Sequence, residues 1–328
     1  MSSNMASAST MERKLERIYG SPDAITRLPY RTVVTIGNFD GVHRGHQALL
    51  TRVVETAARL GAVPTAITFE PHPLAVLAPD SPRFRITTEL EKHRLMEAFG
   101  IQTVITLPFS KDLANWKAAQ FCGWLENICR LSAMVIGKDF ALGHNREGDA
   151  TFLSSWARTH QLELETVPDL VDPLTGSKIS SGSIRRFLEA GQIQEAISQL
   201  GRSYTISGIV DKGEGIGHSI GFPTANLSHD PELVLPREGV YAGWARLGET
   251  TYRSAISIGH RPTLGGLSMA VEGYLLDCFD NFYDEPITLA PAVWLREQVA
   301  FPDIPELASA IGADVAKVKA MELPAPVW

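Results

Sequence analysis

The segment Gly37-Asn38-Phe39-Asp40-Gly41-Val42-His43-Arg44-Gly45-His46 gathers residue types that can hold a polyphosphate. Backbone N–H groups at a helix start attract anions, and the helix dipole adds to that attraction. His43 and His46 can direct further hydrogen bonds at phosphate oxygens, and Gly45 between them leaves room for a phosphate to approach the backbone. A second set is Ile179-Ser180-Ser181-Gly182-Ser183-Ile184-Arg185, where two serines, a helix start and an arginine form an anion site on physical grounds. Ser180 also suits an N-cap. A third is Gly213 to Asn226, in which Gly213, Gly215, Gly217 and Gly221 permit a tight loop over phosphates.

These sets need elements to position them. Val33-Val34-Thr35-Ile36 reads as a buried strand before the first set, and Gln47 to Val54 has the apolar spacing of a helix after it. Up to about residue 200 the pattern continues as strand Val63–Phe69, helix Glu89–Gly100, strand Thr103–Leu107, helix Trp116–Cys129 and strand Ala133–Gly137. Such alternation predicts an α/β domain, a parallel sheet flanked by helices, with ligands at the carboxyl ends of strands. His43, the turn Phe69-Glu70-Pro71-His72-Pro73 and Gly137-Lys138-Asp139 all follow strands and are expected to converge on one site. Arg186 to Gly201 reads as helical, with Gly201 as its C-cap. From Tyr204 the runs Tyr204–Val210, Val240–Leu247, Ser254–Ile258, Val271–Leu276 and Ile287–Leu295 alternate apolar and polar residues, which predicts an antiparallel barrel or sandwich. A helix over Ile304–Met321 closes the chain, and the domain boundary is set at residues 12–200 and 201–328.

Bulk properties narrow the function classes. A chain of 328 residues suggests about two domains, and 44% hydrophobic with 20% charged residues is a globular composition. A net charge of −7 and a pI near 5.7 argue against nucleic acid as a partner, though not against nucleotides. Cys122, Cys129 and Cys278 have no metal-ligand spacing and read as small buried hydrophobes in a reducing, cytoplasmic setting. No apolar run is long enough to span a membrane, and Met1–Met11 reads as a disordered tail without a signal peptide. The oligomeric state is not written in the sequence.

The lead-in Gly-x-Phe-Asp-Gly with His-x-Gly-His after a strand resembles the nucleotidyltransferase superfamily. The longer string resembles the bacterial bifunctional riboflavin kinase/FAD synthetase family, as do Thr68 to Pro73, Val135 to Phe140, Arg146 to Asp149 and Ile179 to Arg185, where the family usually has Thr at the Gly182 position. The fold this implies is a Rossmann-like nucleotidyltransferase domain with a riboflavin kinase-like barrel. The implied chemistry is attack of the FMN phosphate on the α-phosphorus of ATP, with pyrophosphate leaving and catalysis by positioning and charge stabilisation. In that chemistry His43 and His46 stabilise phosphate, and Arg185 grips it with help from Ser180 and Ser181. Gly37, Asn38, Phe39, Asp40, Gly41, Gly45 and Asp139 border the nucleotide, and Phe69, Pro71, His72 and Phe140 border the nucleotide or flavin. Ala141-Leu142-Gly143 stands where the family often has Arg-Phe-Gly after Asp-Phe.

Gly221-Phe222-Pro223-Thr224-Ala225-Asn226 is similar to the riboflavin kinase signature, which implies Mg²⁺ held through the oxygens of Thr224 and Asn226. Glu272 sits where that family carries its general base, acting on the terminal ribityl hydroxyl of riboflavin that attacks the γ-phosphorus of ATP. Gly239 to Tyr241, Arg261 to Thr263 and Leu295 to Glu297 match as well, which makes Arg296 a flavin-site candidate. The departures are Ile216-Gly217-His218 for Arg-Gly-Arg, Ser257 for Asn, Gly273 for His and Asp284 for Gly. The resemblance implies ATP, riboflavin, FMN and FAD as substrates or products. Two alternatives stand beside it: an FAD synthetase whose barrel binds flavin with weak or no kinase activity, and a flavin-binding regulatory or storage protein.

Overall fold

The computed structural model describes residues 14–79, 85–212, 221–263, 266–278 and 282–328. The expected tail Met1–Met11 lies outside them, as do Gly213, Gly215, Ile216, Gly217 and His218. The chain forms two compact units. One is the described part of Met1–Phe39, His46–Asp80 and Glu89–Pro168; the other is the described part of Asp40–Gly45, Ser81–Thr88 and Asp169–Trp328.

In chain order the first unit carries β1 (Glu16–Tyr19), β2 (Thr32–Ile36), α1 (Arg44–Leu60), β3 (Val63–Glu70), α2 (Pro73–Leu77), α3 (Glu89–Ala98), β4 (Thr103–Pro108), α4 (Lys111–Ala114), α5 (Ala118–Cys129), β5 (Leu131–Gly137), α6 (Ala150–Thr159) and β6 (Glu163–Val167). The first two residues of α1 belong to the other unit. Its strands form one six-stranded sheet in the order β1-β4-β3-β2-β5-β6, and every pairing is parallel. All five residues of β2 are buried, because a central strand in a covered parallel sheet has no solvent face. The chain runs from β2 outward to β3 and β4 on one side and returns to β5 on the other. The loop after β2 therefore leaves the sheet at its switch point, where open α/β sheets bind ligands. The alternation of the sequence predicts this sheet. It does not extend to β1 or β6, neither of which has a fully buried position, nor to α6, although Phe152, Leu153, Trp156 and Ala157 there do keep helical apolar spacing. Cys122 and Cys129 sit in the core beneath the sheet, and burial pushes both thiols up to about 12.

The second unit carries α7 (Ser181–Glu189), α8 (Ile193–Leu200), β7 (Ile206–Asp211), β8 (Ala225–His229), β9 (Gly239–Leu247), β10 (Thr250–Thr263), β11 (Gly266–Leu275), β12 (Pro286–Arg296) and α9 (Ile304–Ala320). Of the two all-β options, it is the barrel that forms: β10-β11-β8-β7-β12-β9 closes on itself with antiparallel pairing, which leaves no open sheet edge. Irregularities in β12 at Pro291/Val293 and Trp294/Arg296 supply local bends of the kind that closure requires. The single expected helix over 186–201 is two helices, separated at Ala190-Gly191-Gln192, where Gly191 has φ +75°. Gly201 does cap α8 in the left-handed conformation, at φ 70°. The barrel core continues beyond the barrel: Ile86, Ile184, Leu188, Ile193, Ala196 and Leu200 pack in one cluster with Tyr204, Tyr241, Ile256 and Leu289.

Helix α9 is bolted to the barrel from both sides. Arg253 Nη1 donates to the carbonyls of Val318, Lys319 and Met321 at 2.9–3.0 Å, satisfying carbonyls that the helix end leaves open. Arg296 forks onto the buried carboxylate of Asp314, with Nη2 to Oδ2 at 2.6 Å.

Candidate functional site

In the second unit, residues 40–45 form a tightly tied loop. Asp40 is almost fully buried and its Oδ1 accepts the backbone N–H groups of Ile86 and Thr87, at 2.9 and 3.3 Å. Its Oδ2 takes Arg185 Nη2 at 2.7 Å, and its carbonyl accepts the Ser181 hydroxyl at 2.8 Å. Gly41 donates to Thr87 Oγ1, and its carbonyl accepts Arg202 Nη2 at 3.0 Å. Gly41 has φ +81°, and a Cβ there would come within 3.0 Å of Ile86, so only glycine suits both the backbone and the space. Val42 follows at φ 38°, an outlier for a β-branched residue, worth about 1–3 kcal/mol of strain held in place by this network. A Cβ at Gly45 would stand 3.1 Å from the His43 ring, so the backbone passes close under the imidazole.

His43 is 6% exposed. Burial pushes its pKa from the ordinary 6.5 down to about 4, and the Arg185 guanidinium adds to the fall. The ring is neutral at pH 7 and offers one donor and one acceptor rather than a fixed charge. Arg185 itself stands on the first turns of α7, and its charge is balanced by Asp40. Ser180 is the N-cap of α7, accepting from Ser183 N–H, and Ser183 answers with its own side chain in a capping box. Of the two readings of Ser180, the N-cap is the one this geometry shows.

In the first unit, the residues expected to border nucleotide or flavin lie at the carboxyl ends of β2, β3 and β5. Phe39 is buried at φ 50° and meets the His46 ring edge-on, with centroids 5.3 Å apart, on the first turn of α1. Gly37 N–H donates to the Ile67 carbonyl, and the Asn38 carbonyl accepts the Thr68 hydroxyl at 3.3 Å. That hydroxyl in turn accepts from the buried amine of Lys92 at 3.1 Å. Phe69 is half-buried against the Phe109 edge at 5.7 Å, and Pro71 is exposed. His72 is the N-cap of α2, its Nδ1 accepting Leu74 N–H at 3.1 Å. Asp139 offers its carbonyl to Arg146 at 2.7 Å, and Phe140 packs on the core of this unit.

The barrel presents its groups differently. The Thr224 hydroxyl donates to Glu272 Oε2 at 3.2 Å, and Asn226 of β8 is the direct ladder partner of Glu272 on β11. Directly paired residues share a face of the sheet, so Thr224, Asn226 and Glu272 form an all-oxygen set, the donor chemistry that Mg²⁺ requires. Among the described residues no cluster of three or more His, Cys, Asp or Glu could hold a metal by itself. Gly221 turns before this strand at φ +83°, and Phe222 meets Tyr274 edge-on at 5.5 Å. Arg296, a flavin-site candidate from the sequence, spends its guanidinium on Asp314 and on the Glu297 carbonyl.

Sequence reasoning missed Thr87, Lys92, Gln199 and Arg202. All are polar and buried, and each bonds a motif residue or its cap. None carries a signal that local spacing could reveal, because each meets its partner on another element.

Comparison with known proteins agrees with both halves. The FAD synthetase family matches residues 26–183 and the riboflavin kinase family matches residues 200–322. The bifunctional riboflavin kinase/FMN adenylyltransferase of Escherichia coli K12 is 34% identical over 86% of this chain and 90% of its own length. That of Pseudomonas fluorescens is 33% identical, over 89% and 93%. The crystal structure of a macrolide-efflux protein from Streptococcus pneumoniae matches 94% of this chain and 100% of that one, with a TM-score of 0.85 at 26% identity. Two families in this order, with relatives at such identity over most of their length, mean that the chain belongs to the bifunctional riboflavin kinase/FMN adenylyltransferase family.

Proposed function

We propose that residues 201–328 carry the riboflavin kinase chemistry and residues 12–200 the adenylyl transfer. The enzyme converts riboflavin and ATP to FMN and ADP, and then FMN and ATP to FAD and pyrophosphate. In the kinase step Glu272 takes the proton of the terminal ribityl hydroxyl as its oxygen attacks the γ-phosphorus, and ADP leaves. Thr224 holds that carboxylate in line, and Thr224 and Asn226 would hold Mg²⁺. The ion would neutralise charge on the transferring phosphoryl group. In the second step an FMN phosphate oxygen attacks the α-phosphorus of ATP. His43 and His46 donate to phosphate oxygens, and the α7 N-terminus with Ser180, Ser181 and Arg185 takes up phosphate charge. The nucleotide is bordered by Gly37 to Gly41, Gly45 and Asp139, and by Gly213, Gly215, Gly217 and Gly221 in the kinase. Phe69, Pro71, His72, Phe140 and Arg296 serve the flavin, Arg296 through its fixing of α9.

The observation that carries the kinase assignment is the Thr224 hydroxyl on Glu272 with Asn226 opposite. The family matches favour turnover over a barrel that only binds flavin, and over a storage protein. The efflux name of the Streptococcus pneumoniae protein is not carried over; among the described residues no helix is long and apolar enough to cross a membrane. We place the enzyme in the cytoplasm, where its substrates are the free flavins and MgATP and neither nucleic acid nor membrane is a partner. The test is chromatography of flavins after incubating the protein with riboflavin, ATP and Mg²⁺. FAD accumulates if both activities are present; unconverted riboflavin beside FMN that still becomes FAD would remove the kinase assignment.

A further inference from the structure

The capping box of α7 has an unusual partner. The usual residue at its third helical position is Glu or Gln, whose long side chain reaches back to the N-cap N–H. Here that position is Ser183, whose Oγ accepts Ser180 N–H at 3.1 Å. A hydroxyl has one proton. While a lone pair of Ser183 faces Ser180 N–H, that proton must point elsewhere. Its shortest oxygen neighbour is Gln199 Oε1 at 2.5 Å, against 2.8 Å to the Ser180 carbonyl and 3.0 Å to Ser180 Oγ. Gln199, on α8, is fully buried, and its Nε2 donates to Ser177 Oγ at 3.2 Å. Its neighbour Ser198 donates to the buried Asp172 at 2.9 Å. Consecutive residues of α8 therefore grip the 172–177 loop, and one of them also fixes the hydroxyl that closes the cap of α7.

We propose that Gln199 is a positioning residue for adenylyl transfer: by accepting the Ser183 proton it locks the first turn of α7, and with it the backbone N–H groups of Ser181 and Gly182 that receive phosphate. It touches no substrate and acts only through Ser183. The inference rests on the reading of the α7 N-terminus as a phosphate site, and it adds the residue that sets its geometry.

The test uses the full-length enzyme and its two reactions, FMN to FAD and riboflavin to FMN, with Gln199→Met, Ser183→Ala and the double variant. Met keeps the volume and removes the acceptor together with the bond to Ser177; Ser183→Ala removes the same link together with the acceptor of Ser180 N–H. Each single variant lowers kcat/KM for FAD formation about tenfold, the size of one well-buried hydrogen bond. FMN formation stays within about twofold, which reports intact folding. The double variant loses clearly less than the product of the two single losses, because the two residues share one link. Additive losses near a hundredfold, an equal fall in FMN formation, or unchanged FAD formation in both single variants would overturn the proposal. A wild-type enzyme that makes no FAD from FMN would instead remove the reading beneath it.

Discussion

In the proposed reactions the loop of residues 40–45 and the Glu272 face of the barrel share one task, placing polar groups for phosphate chemistry, and the fold builds them in different ways. The loop is held by long-range buried bonds: one carboxylate, Asp40, collects two backbone amides and an arginine from segments 46 to 145 residues away. The barrel face is set by strand register, with Glu272 opposite Asn226 and bonded to Thr224. In the first, geometry and stability depend on the same atoms. In the second, the ladder holds whatever side chain is present, so chemistry can be removed without loosening the fold.

Glu272→Gln is the sharpest probe of that difference. FMN formation should fall by about a thousandfold while FAD formation from FMN and the melting temperature stay near wild type. A parallel loss of stability would show that the barrel face is also a structural hub. His46→Ala should lower FAD formation by about a hundredfold and spare FMN formation; unchanged adenylylation would take His46 out of the chemistry. Asp40→Ala leaves Arg185 and two amides without their acceptor. Denaturant unfolding should show a loss of about 3–5 kcal/mol, together with the loss of FAD formation.

Acid separates the regions less sharply. His43 titrates at about 4 folded against 6.5 unfolded, so between those values the unfolded chain binds the extra proton. Stability is therefore full above pH 6.5 and declines as pH falls towards 4, by up to about 3 kcal/mol from His43. His93 in the first unit, pushed down to about 4 by burial and then by Lys92, adds loss in the same window. Denaturant titrations at pH 7 and pH 5 check this, and a His43→Gln variant should flatten part of the slope. The smallest effect belongs to Gly182→Thr. A Cβ at Gly182 meets only Ser180 Oγ, at 3.9 Å, so the change should move stability by less than about 1 kcal/mol.

What the sequence made legible was local. Strand-loop-helix order, five of the six barrel strands and the Gly201 cap each follow from apolar period and glycine placement over a few residues, whereas β8 begins inside the run read as a phosphate loop. The ties that shape the loop of residues 40–45 were not legible, because Asp40 reads as a loop residue until Ile86, Thr87 and Arg185 are brought to it. The break at Gly191 did carry a local signal: Leu188 to Ile193 is a spacing of five, which would put the apolar residues of α8 on the opposite face of a continued helix. The structural employment of Arg296 was hidden for the same reason as that of Asp40: its partner Asp314 stands on another element.

The shared cluster of Ile86, Ile184, Leu188, Ile193, Ala196 and Leu200 with the barrel has a bearing on how this gene can be cut. A fragment beginning at residue 201 would encode Thr224, Asn226 and Glu272 and yet leave their supporting apolar surface bare. Recombination that swaps kinase halves between relatives should succeed when the crossover falls before α7 and yield aggregates when it falls after α8. The proposed boundary between the two reactions along the polypeptide should therefore fail as a point at which to divide the molecule.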